Sequence, residues 1–251
     1  MGVWVAKPPA GWPIDPAAVT AYGFVALWAL LEGTGTTIAD SVGTNTGTMN
    51  GALSWSGTDV IGFAGGSTTT TYIDCGNASV INPLSEVTYG GWFYPTLVSP
   101  AGWWLARDDN SLGRSYACSI PGSNGPGMQI QGSNIFTGGT QTITTNAWNL
   151  LALSGSTSGG WISYVNGVQS GTATWSAPAT ATGATCIGRR TYASNQNGFF
   201  GRCRMAWICN KVMTPTQHAA LNTNTWQVFT PSVSIFSRRT LCDRVGSRGS
   251  M

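Results

Sequence analysis

The segment 199–209, FFGRCRMAWIC, alternates between apolar and polar or small residues along most of its length. Side chains of a β-strand point alternately to the two faces of a sheet, so a period of two predicts a strand with one buried face. We expect the two arginines, Arg202 and Arg204, on the opposite face. The residues expected on the buried face are Cys203, Met205 and Trp207. A chain with such a segment must build a sheet and cover it.

Short runs of similar character recur along the chain between turn-forming residues. They lie at 22–30, 68–77, 86–95, 102–110, 114–120, 127–132, 147–155, 161–171 and 184–190. Asn166-Gly167 predicts a type I′ hairpin, because both central residues of that turn need a positive φ. The 34 glycines and 12 prolines supply many further turns. Many short strands with almost no helix predict an all-β fold, an antiparallel two-sheet jelly-roll sandwich.

One clear helix signal follows the last strand. Thr214 at the N-cap, Pro215 at the first helical position and Gln217 at the third form a capping box, which predicts a short helix ending near Leu221. The predicted divisions of the chain are an extended N-terminal arm, 1–20, a jelly-roll domain, 21–222, and a C-terminal tail, 223–251.

The two ends of the chain hold large apolar residues outside the predicted sandwich. These residues are Trp4, Trp12, Trp226, Phe229 and Phe236. Each forfeits ~1.5–3 kcal/mol if it is left in water. We therefore expect them either to fold back on the domain or to lie against another subunit as assembly contacts.

Five stretches of the sequence occur in a characteristic order over about 22–222. They are GFVALWALLEGTGTTIADSVGTNTGTMNGALSW, YIDCGNASVINPLSEVTYGGWFYP, AWNLLALS, WISYVNGVQSG and FGRCRMAWICNKVMTPTQHAAL. Together they resemble the LamG-like, concanavalin A-like lectin–glucanase jelly-roll domain of the kind found on tailed-phage structural proteins. The phage versions are also similar in having a proline-containing lead-in, here WPIDP, and a tail like WQVF.

The resemblance implies two stacked antiparallel sheets that bind glycans or proteins through loops at one rim, often with calcium. The chain departs from the family at Arg204, where the family usually has an Asp. An arginine cannot ligate a cation. It can instead pair with Asp40, which matches the family's early Asp, or remain exposed. We expect no cofactor, and calcium is not indicated. The weak metal candidates are Asp108, Asp109 and Asn110.

Catalytic groups are sparse. No predicted strand carries the carboxylate pair that glycoside hydrolysis needs, and the neighbours Asp108 and Asp109 would point to opposite faces of a strand. A Ser-His-acid triad needs a suitably placed histidine, and the single histidine, His218, lies in the predicted helix, where we expect a surface or half-buried side chain. We therefore predict that the protein is not an enzyme.

Aromatic rings stack on sugars, and arginine or amide side chains hydrogen-bond them. The candidate ligand-binding residues are Trp103, Trp104, Arg189, Arg190, Tyr192 and Asn195. Because neighbours on a strand point to opposite faces, at most one of Trp103 and Trp104 is expected in the core. Three other tryptophans are assigned to the core: Trp92, Trp148 and Trp207.

A net charge of +3 does not indicate a nucleic-acid partner, and no apolar run reaches the ~20 residues of a membrane span or marks a signal peptide. Six widely spaced cysteines lack zinc-site spacing, and their pairing is left open. The favoured function is a structural or capsid-decoration protein of a bacteriophage virion, a homo-oligomer that contacts other virion proteins and can present a rim to host-surface glycans. The alternative is a secreted carbohydrate-binding or adhesion module.

Overall fold

The structure is a computed structural model that describes residues 7–66, 70–82, 85–98, 102–108, 114–122, 125–130, 133–190 and 198–229. The strands are β1 Phe24–Trp28, β2 Thr37–Ile38, β3 Gly47–Asn50, β4 Ser54–Ser56, β5 Asp59–Gly66, β6 Tyr72–Asp74, β7 Glu86–Pro95, β8 Gly102–Asp108, β9 Arg114–Ile120, β10 Gly127–Ile130, β11 Ser133–Thr137, β12 Asn149–Ser156, β13 Gly160–Val165, β14 Val168–Ala173, β15 Thr185–Ile187 and β16 Gly198–Cys209. The helices are α1 Pro16–Tyr22 and α2 Pro215–Thr223, with short 3₁₀ turns at Ser79–Ile81 and Thr225–Val228.

The strands form two sheets. Sheet 1 has the order β14–β13–β12–β7–β16, and β16 also pairs with β1 and with β5, which in turn pairs with β4. Sheet 2 has the order β11–β10–β9–β8–β15–β6–β3–β2. Neighbours within each sheet are antiparallel, and a parallel bridge between Gly198 and Trp103 links the two sheets. The predicted all-β, two-sheet jelly-roll class is confirmed.

The inner faces of the sheets enclose a shared apolar core. Phe93 of sheet 1 meets Trp104 of sheet 2 with ring centroids 5.0 Å apart, and Tyr89 stacks on Tyr116 at 4.0 Å. All four side chains are fully buried. Removing this much aromatic surface from water is the main favourable contribution to folding, and offset ring contacts add to it.

Sheet 1 is apolar on its outer face as well. A β-bulge interrupts β16 between Cys203 and Met205, so Cys203 faces the shared core while Met205 and Trp207 lie on the outer side. The prediction that these three residues share one face is therefore wrong, because the extra residue of a bulge reverses the side to which later residues point. Both sides of the strand are apolar, which hides the reversal in the sequence.

Trp207 lies against β7 because Gly90 has no side chain. A Cβ atom added at Gly90 would lie 2.5 Å from the Trp207 indole ring. Trp92 and Trp207 are buried as predicted, but in this outer layer and not between the sheets. Trp148 is half-buried at the edge of the same layer.

Segments from both ends of the chain cover the outer face of sheet 1. Trp12 and Ile14 approach from one end and Trp226 and Phe229 from the other, and all four pack on the apolar layer that contains Trp207. An isolated β-bridge between Ile14 and Phe229 joins the two ends. The described aromatic residues of the arms thus fold back on their own domain, one of the two outcomes expected. Trp4 and Phe236 lie outside the described residues.

An extended N-terminal arm was predicted, but the arm contains a helix. Pro16–Tyr22 form α1, which begins after Asp15, whose carboxylate accepts a hydrogen bond from the amide of Ala17, and ends at Gly23 with φ of 69°. An aspartate N-cap, a proline at the first position and a glycine after the last turn are the ordinary signals of a helix. They override the extended character expected of a proline-rich lead-in.

Two local predictions are confirmed. Thr214 and Gln217 form the reciprocal capping box of α2, which extends to Thr223. Asn166 and Gly167 have φ values of 51° and 78° and connect β13 to β14, as a type I′ turn requires.

The described cysteines, which are Cys75, Cys118, Cys186, Cys203 and Cys209, are all free and buried. Burial raises the pKa of the Cys203 and Cys209 thiols, so they remain protonated and behave as small apolar groups. Neither helix in the described part of the chain is long and apolar enough to cross a membrane.

Candidate functional site

A pocket of about 340 Å³ opens at the end of the sandwich where β8 finishes. We call it the rim pocket, and its lining residues are Asn77, Ser79, Asn82, Arg107, Thr180, Ala181 and Thr182. One wall comes from the loop after β6 and the other from the loop before β15. These loops meet because β6 and β15 are adjacent antiparallel strands, so the end of one lies beside the start of the other.

Amide side chains fasten the two walls to each other. Nδ2 of Asn77 donates to the carbonyl of Thr182 at 3.2 Å, and Nδ2 of Asn82 donates to the carbonyl of Ala179 at 3.0 Å. The hydroxyl of Ser115 donates to Oδ1 of Asn82. The pocket is therefore a built feature of the fold, held by groups from segments about a hundred residues apart.

Arg107 forms the floor of the pocket with 2% of its surface exposed. Nε and Nη2 both donate to the carbonyl of Ala181, at 3.2 and 2.8 Å, while Nη1 donates to Ala78 at 2.8 Å and Nη2 to Asn77 at 2.7 Å. All of its hydrogen-bond acceptors are main-chain carbonyls of the two walls. The side chain thus holds both walls in place and brings a positive charge to the base of the pocket.

Burial lowers the pKa of Arg107, but an arginine stays protonated because its ordinary pKa is so high. Tyr116 lies behind it in the core, where its hydroxyl donates to the Ile81 carbonyl at 3.3 Å and contacts Thr185 Oγ1 at 3.2 Å. Burial raises the pKa of Tyr116, so this phenol is neutral. The pocket therefore has a cationic floor with neutral polar surroundings.

The mouth of the pocket is exposed and the floor is not. Asn77, Ser79, Thr180 and Thr182 are exposed at the mouth, whereas Arg107 is buried. Val80, which directly follows the lining residue Ser79, is 52% exposed and is an apolar group close to the pocket in the chain. Hydroxyls and amides around a rigid base, next to a small apolar contact, can bind a flat molecule rich in hydroxyl groups.

The outer face of sheet 2 brings together three residues that the sequence analysis selected. Nε of Arg190 lies 2.8 Å from Oδ2 of Asp108, and its guanidinium is 5.1 Å from the centre of the Trp103 ring. All three are buried. Asp108 is thus held in an ion pair, and the described part of the chain has no group of three or more His, Cys, Asp or Glu side chains arranged for a metal ion.

Arg189 lies on the neighbouring strand surface, with its guanidinium 3.4 Å from the centre of the Tyr72 ring. Trp104, by contrast, is fully buried in the core between the sheets, where its Nε1 donates to the Ser119 carbonyl at 3.2 Å. It therefore offers no surface to a ligand. Tyr192 and Asn195, and the metal candidates Asp109 and Asn110, lie outside the described residues.

Arg204 does not pair with Asp40. It makes a two-bond ion pair with Asp59, at 2.9 and 3.2 Å, and its guanidinium lies 4.0 Å from the centre of the Trp148 ring. Asp40 instead accepts hydrogen bonds from the main-chain amides of Leu27, Val42 and Asn45. A carboxylate satisfied by local amides has no need of a distant cation, so that suggested pairing is wrong.

His218 lies in α2 and is fully buried against sheet 1, so the expectation of a surface or half-buried side chain is wrong. Its Nε2 is 3.0 Å from the Ser154 hydroxyl, which is 2.8 Å from that of Thr88, and its ring stacks on Tyr164 at 3.9 Å. Burial lowers the pKa of His218 to about 4, so the ring is neutral near pH 7. With no exposed surface, this Ser–His pair cannot reach a substrate.

The sequence profile of the concanavalin A-like lectin/glucanases superfamily, of laminin G type, matches residues 65–217. The chain belongs to this superfamily. The match spans both loops of the rim pocket and the whole of β16. A search of curated protein sequences found no match.

Solved structures share this superfamily's fold. The chain is similar to Trypanosoma rangeli sialidase with a TM-score of 0.59 and 12% identity, covering 88% of this chain but 36% of the sialidase, about a third of its length. The same sialidase in complex with sialic acid gives a TM-score of 0.58 at 12% identity, with 88% and 36% covered. Ruminococcus gnavus IT-sialidase CBM40 bound to α2,3-sialyllactose gives 0.49 at 13% identity, over 58% of this chain and 86% of that one. The two sialidase structures show a similar fold and nothing further.

None of the residues that line the rim pocket was selected from the sequence. Its two loops read as small and polar, GNASVIN and ATATGAT. Such compositions are also those of ordinary turns. A clustering of Asn, Ser and Thr in two separate loops is the one signal that could have been noted.

Proposed function

We propose that the chain is a carbohydrate-binding module and that it binds a glycan in the rim pocket. The observation that carries the proposal is the pocket itself, with hydroxyl and amide side chains around a buried arginine. The lectin description of the superfamily supports a sugar ligand. A volume of about 340 Å³ lies within the ordinary range of small-ligand sites.

The chemistry of the lining suits a sugar. Ser79, Thr180 and Thr182 can each donate and accept a hydrogen bond, as the hydroxyls of a sugar ring require. Val80 can contact the C–H face of such a ring. Because hydrogen bonds hold the walls together without a ligand, binding should cost little conformational entropy.

We also propose that the module binds without cleaving. The pocket's lining residues include no carboxyl side chain in the described part of the chain, whereas most glycoside hydrolysis uses two. Sialidases instead use a tyrosine nucleophile. The tyrosine nearest the floor, Tyr116, is fully buried, and its raised pKa disfavours the phenolate that would attack.

Filling the pocket tests the proposal. A glycan array with the whole chain identifies the strongest binder, which is then titrated by calorimetry against Thr182→Trp. The indole would occupy the mouth, and we expect affinity to fall at least about tenfold. Thr172→Trp, at an exposed position of β14 outside the pocket, is the matched control and should bind normally.

Thermal unfolding of both variants shows whether each retains the fold. Full affinity in a folded Thr182→Trp protein would exclude the rim pocket as the binding site. Absence of binding to any glycan on the array would count against the carbohydrate-binding function as a whole.

The role in a phage virion remains a prediction, supported by the resemblance of the lead-in and tail to those of phage proteins. Packing of Trp12, Trp226 and Phe229 on their own sheet leaves these residues without need of a partner to bury them. Sedimentation of the pure chain measures the predicted homo-oligomer. A monomer at all accessible concentrations would argue against self-assembly as a virion protein.

A further inference from the structure

The charge of Arg107 lacks an acidic partner. Its four hydrogen bonds go to the carbonyls of Asn77, Ala78 and Ala181, and it makes no ion pair with any residue that the structure describes. The two ion pairs among the described residues use other arginines, Arg190 and Arg204. Carbonyl dipoles satisfy the donors of a guanidinium but do not cancel its net charge.

One donor of Arg107 is still available. A guanidinium has five N–H groups, and the hydrogen bonds of Arg107 use the one on Nε, both on Nη2 and one of the two on Nη1. The remaining Nη1 hydrogen belongs to a group that lines the pocket. Hydroxyls of Ser79 and Thr182 stand at the mouth of the same cavity, so an oxyanion in the pocket can gather both a charge-assisted bond and neutral ones.

The described residues around the pocket do not neutralise the charge of Arg107. All the other lining residues of the rim pocket are neutral. Tyr116 and Tyr89 could offset the charge of Arg107 only as phenolates. Burial raises the pKa of both phenols, so they stay protonated and neutral. A charge in such a partly dry site acts more strongly on a ligand than the same charge in open water.

We propose that the rim pocket selects sugars that carry an acidic substituent, a carboxylate or a sulfate, through the charge of Arg107. The inference rests on the proposed glycan-binding function and names the class of sugar. The anionic group lies towards the floor of the pocket, and the ring hydroxyls lie towards Ser79, Thr180 and Thr182. An arginine that merely fastened the walls would show no such preference.

Matched pairs of sugars test this selectivity. The whole chain is titrated with glucose and glucuronic acid glycosides, and with galactose glycosides with and without a 6-sulfate. We expect each acidic member to bind about tenfold more tightly than its neutral partner, since hydrogen bonds to charged groups are the stronger ones. The advantage should shrink in high salt, although less than for a surface charge.

Arg107 itself is a poor position for this test, because its removal would leave three wall carbonyls unpaired and deform the pocket. Val80 is better, since it is exposed and directly follows Ser79, which lines the pocket. Loss of the valine contact affects both members of a sugar pair, so the readout is the ratio of their affinities: Val80→Lys should raise and Val80→Asp should lower the preference for the acidic member, each about threefold. Val168, 53% exposed on β14, gives the control pair Val168→Lys and Val168→Asp, which should have no effect.

Each result decides a different point. Equal affinity for acidic and neutral partners overturns the selectivity and leaves the proposed glycan-binding function intact. Binding of neither member of any pair overturns the selectivity, whereas the glycan-binding function is overturned only if no glycan on the array binds. Free acetate or inorganic sulfate that competes as well as the acidic sugars would show a general anion site, and this too overturns the inference. The inference is supported if the preference for acidic sugars changes with the charge placed at position 80 and not with the charge placed at position 168.

Discussion

Arg107 is buried and Arg204 is partly exposed, and the two arginines also differ in their partners. Arg204 has a carboxylate partner in Asp59 and a ring in Trp148, so its charge is neutralised within the chain. Arg107 has carbonyl partners and faces a cavity. The difference shows that an arginine paired with an acid adds no net charge at its site, whereas an arginine without an acidic partner can attract a ligand.

The outer face of sheet 1 and the rim pocket also differ, because the first is covered by other segments of the chain and the second is not. Outside sheet 1, α1, α2 and the aromatic residues of the arms complete a second apolar layer. At the rim, two polar loops are tied together without being covered. We infer that the first region serves stability and the second serves binding, and substitutions should separate the two roles.

The largest effect is expected in the covered region. Trp207→Ala should lower the free energy of unfolding by about 3–5 kcal/mol, because it removes a buried indole and leaves a cavity beneath the arms. Trp226→Ala, at a half-buried position in the same layer, should cost clearly less. Urea unfolding measures both. Similar costs at the two positions would show that the layer is not a packed part of the fold.

At the rim, Arg107→Met should lower the free energy of unfolding by about 3 kcal/mol, because each carbonyl left unpaired in a buried site costs about 1–3 kcal/mol. Arg204→Met should cost about 1 kcal/mol or less, since its ion pair is partly exposed. Urea unfolding of the two variants compares them directly. A smaller loss at Arg107 than at Arg204 would contradict its role in holding the walls.

Acid should loosen the covered region through His218. Its pKa is about 4 in the folded chain and about 6.5 when unfolded, so folding favours the neutral ring. This contribution is complete above pH 6.5 and is lost as the pH falls towards 4, by about 1.4 kcal/mol for each pH unit. His218→Gln should show a flatter decline in urea unfolding measured at several pH values. Parallel declines would mean that other groups account for the acid sensitivity.

The smallest change in the free energy of unfolding is expected at exposed positions. Val80→Ala and Val168→Ala should each change the free energy of unfolding by less than about 0.5 kcal/mol, as surface substitutions usually do. Only Val80→Ala should weaken glycan binding, because it removes an apolar contact beside the pocket. Calorimetric titration checks this, and an equal loss at both positions would remove Val80 from the site.

Much of the fold was predictable because its signals are local. The capping box at Thr214 and the Asn166-Gly167 turn depend on a few neighbouring residues, and both formed as expected. The helix signal at Asp15-Pro16 was equally local, but its proline-rich setting favoured an extended reading. The sandwich class followed from strand spacing alone, without knowledge of which strands pair.

The candidate site was predicted less well. Trp103, Arg190 and Asp108 were selected from the sequence and do meet, because β8 and β15 are neighbours. The rim pocket was missed, since its walls lie far apart in the chain and consist of residue types common in any turn. Arg204 was expected either to be exposed or to pair with Asp40, and it pairs with Asp59 instead, because nothing local in the sequence identifies Asp59 as its partner.

By itself, the sequence determined that this chain builds antiparallel strands, ends them with a capped helix and has enough apolar residues for a core. Period, turn chemistry and capping act over a few residues, so they can be read directly. Tertiary structure alone decided which residues of β16 face the shared core, which acid pairs with Arg204, and that Arg107 lines the rim pocket without an acidic partner. Those outcomes depend on strand register, on a bulge and on contacts between distant loops, and each of these is set only when the whole chain packs.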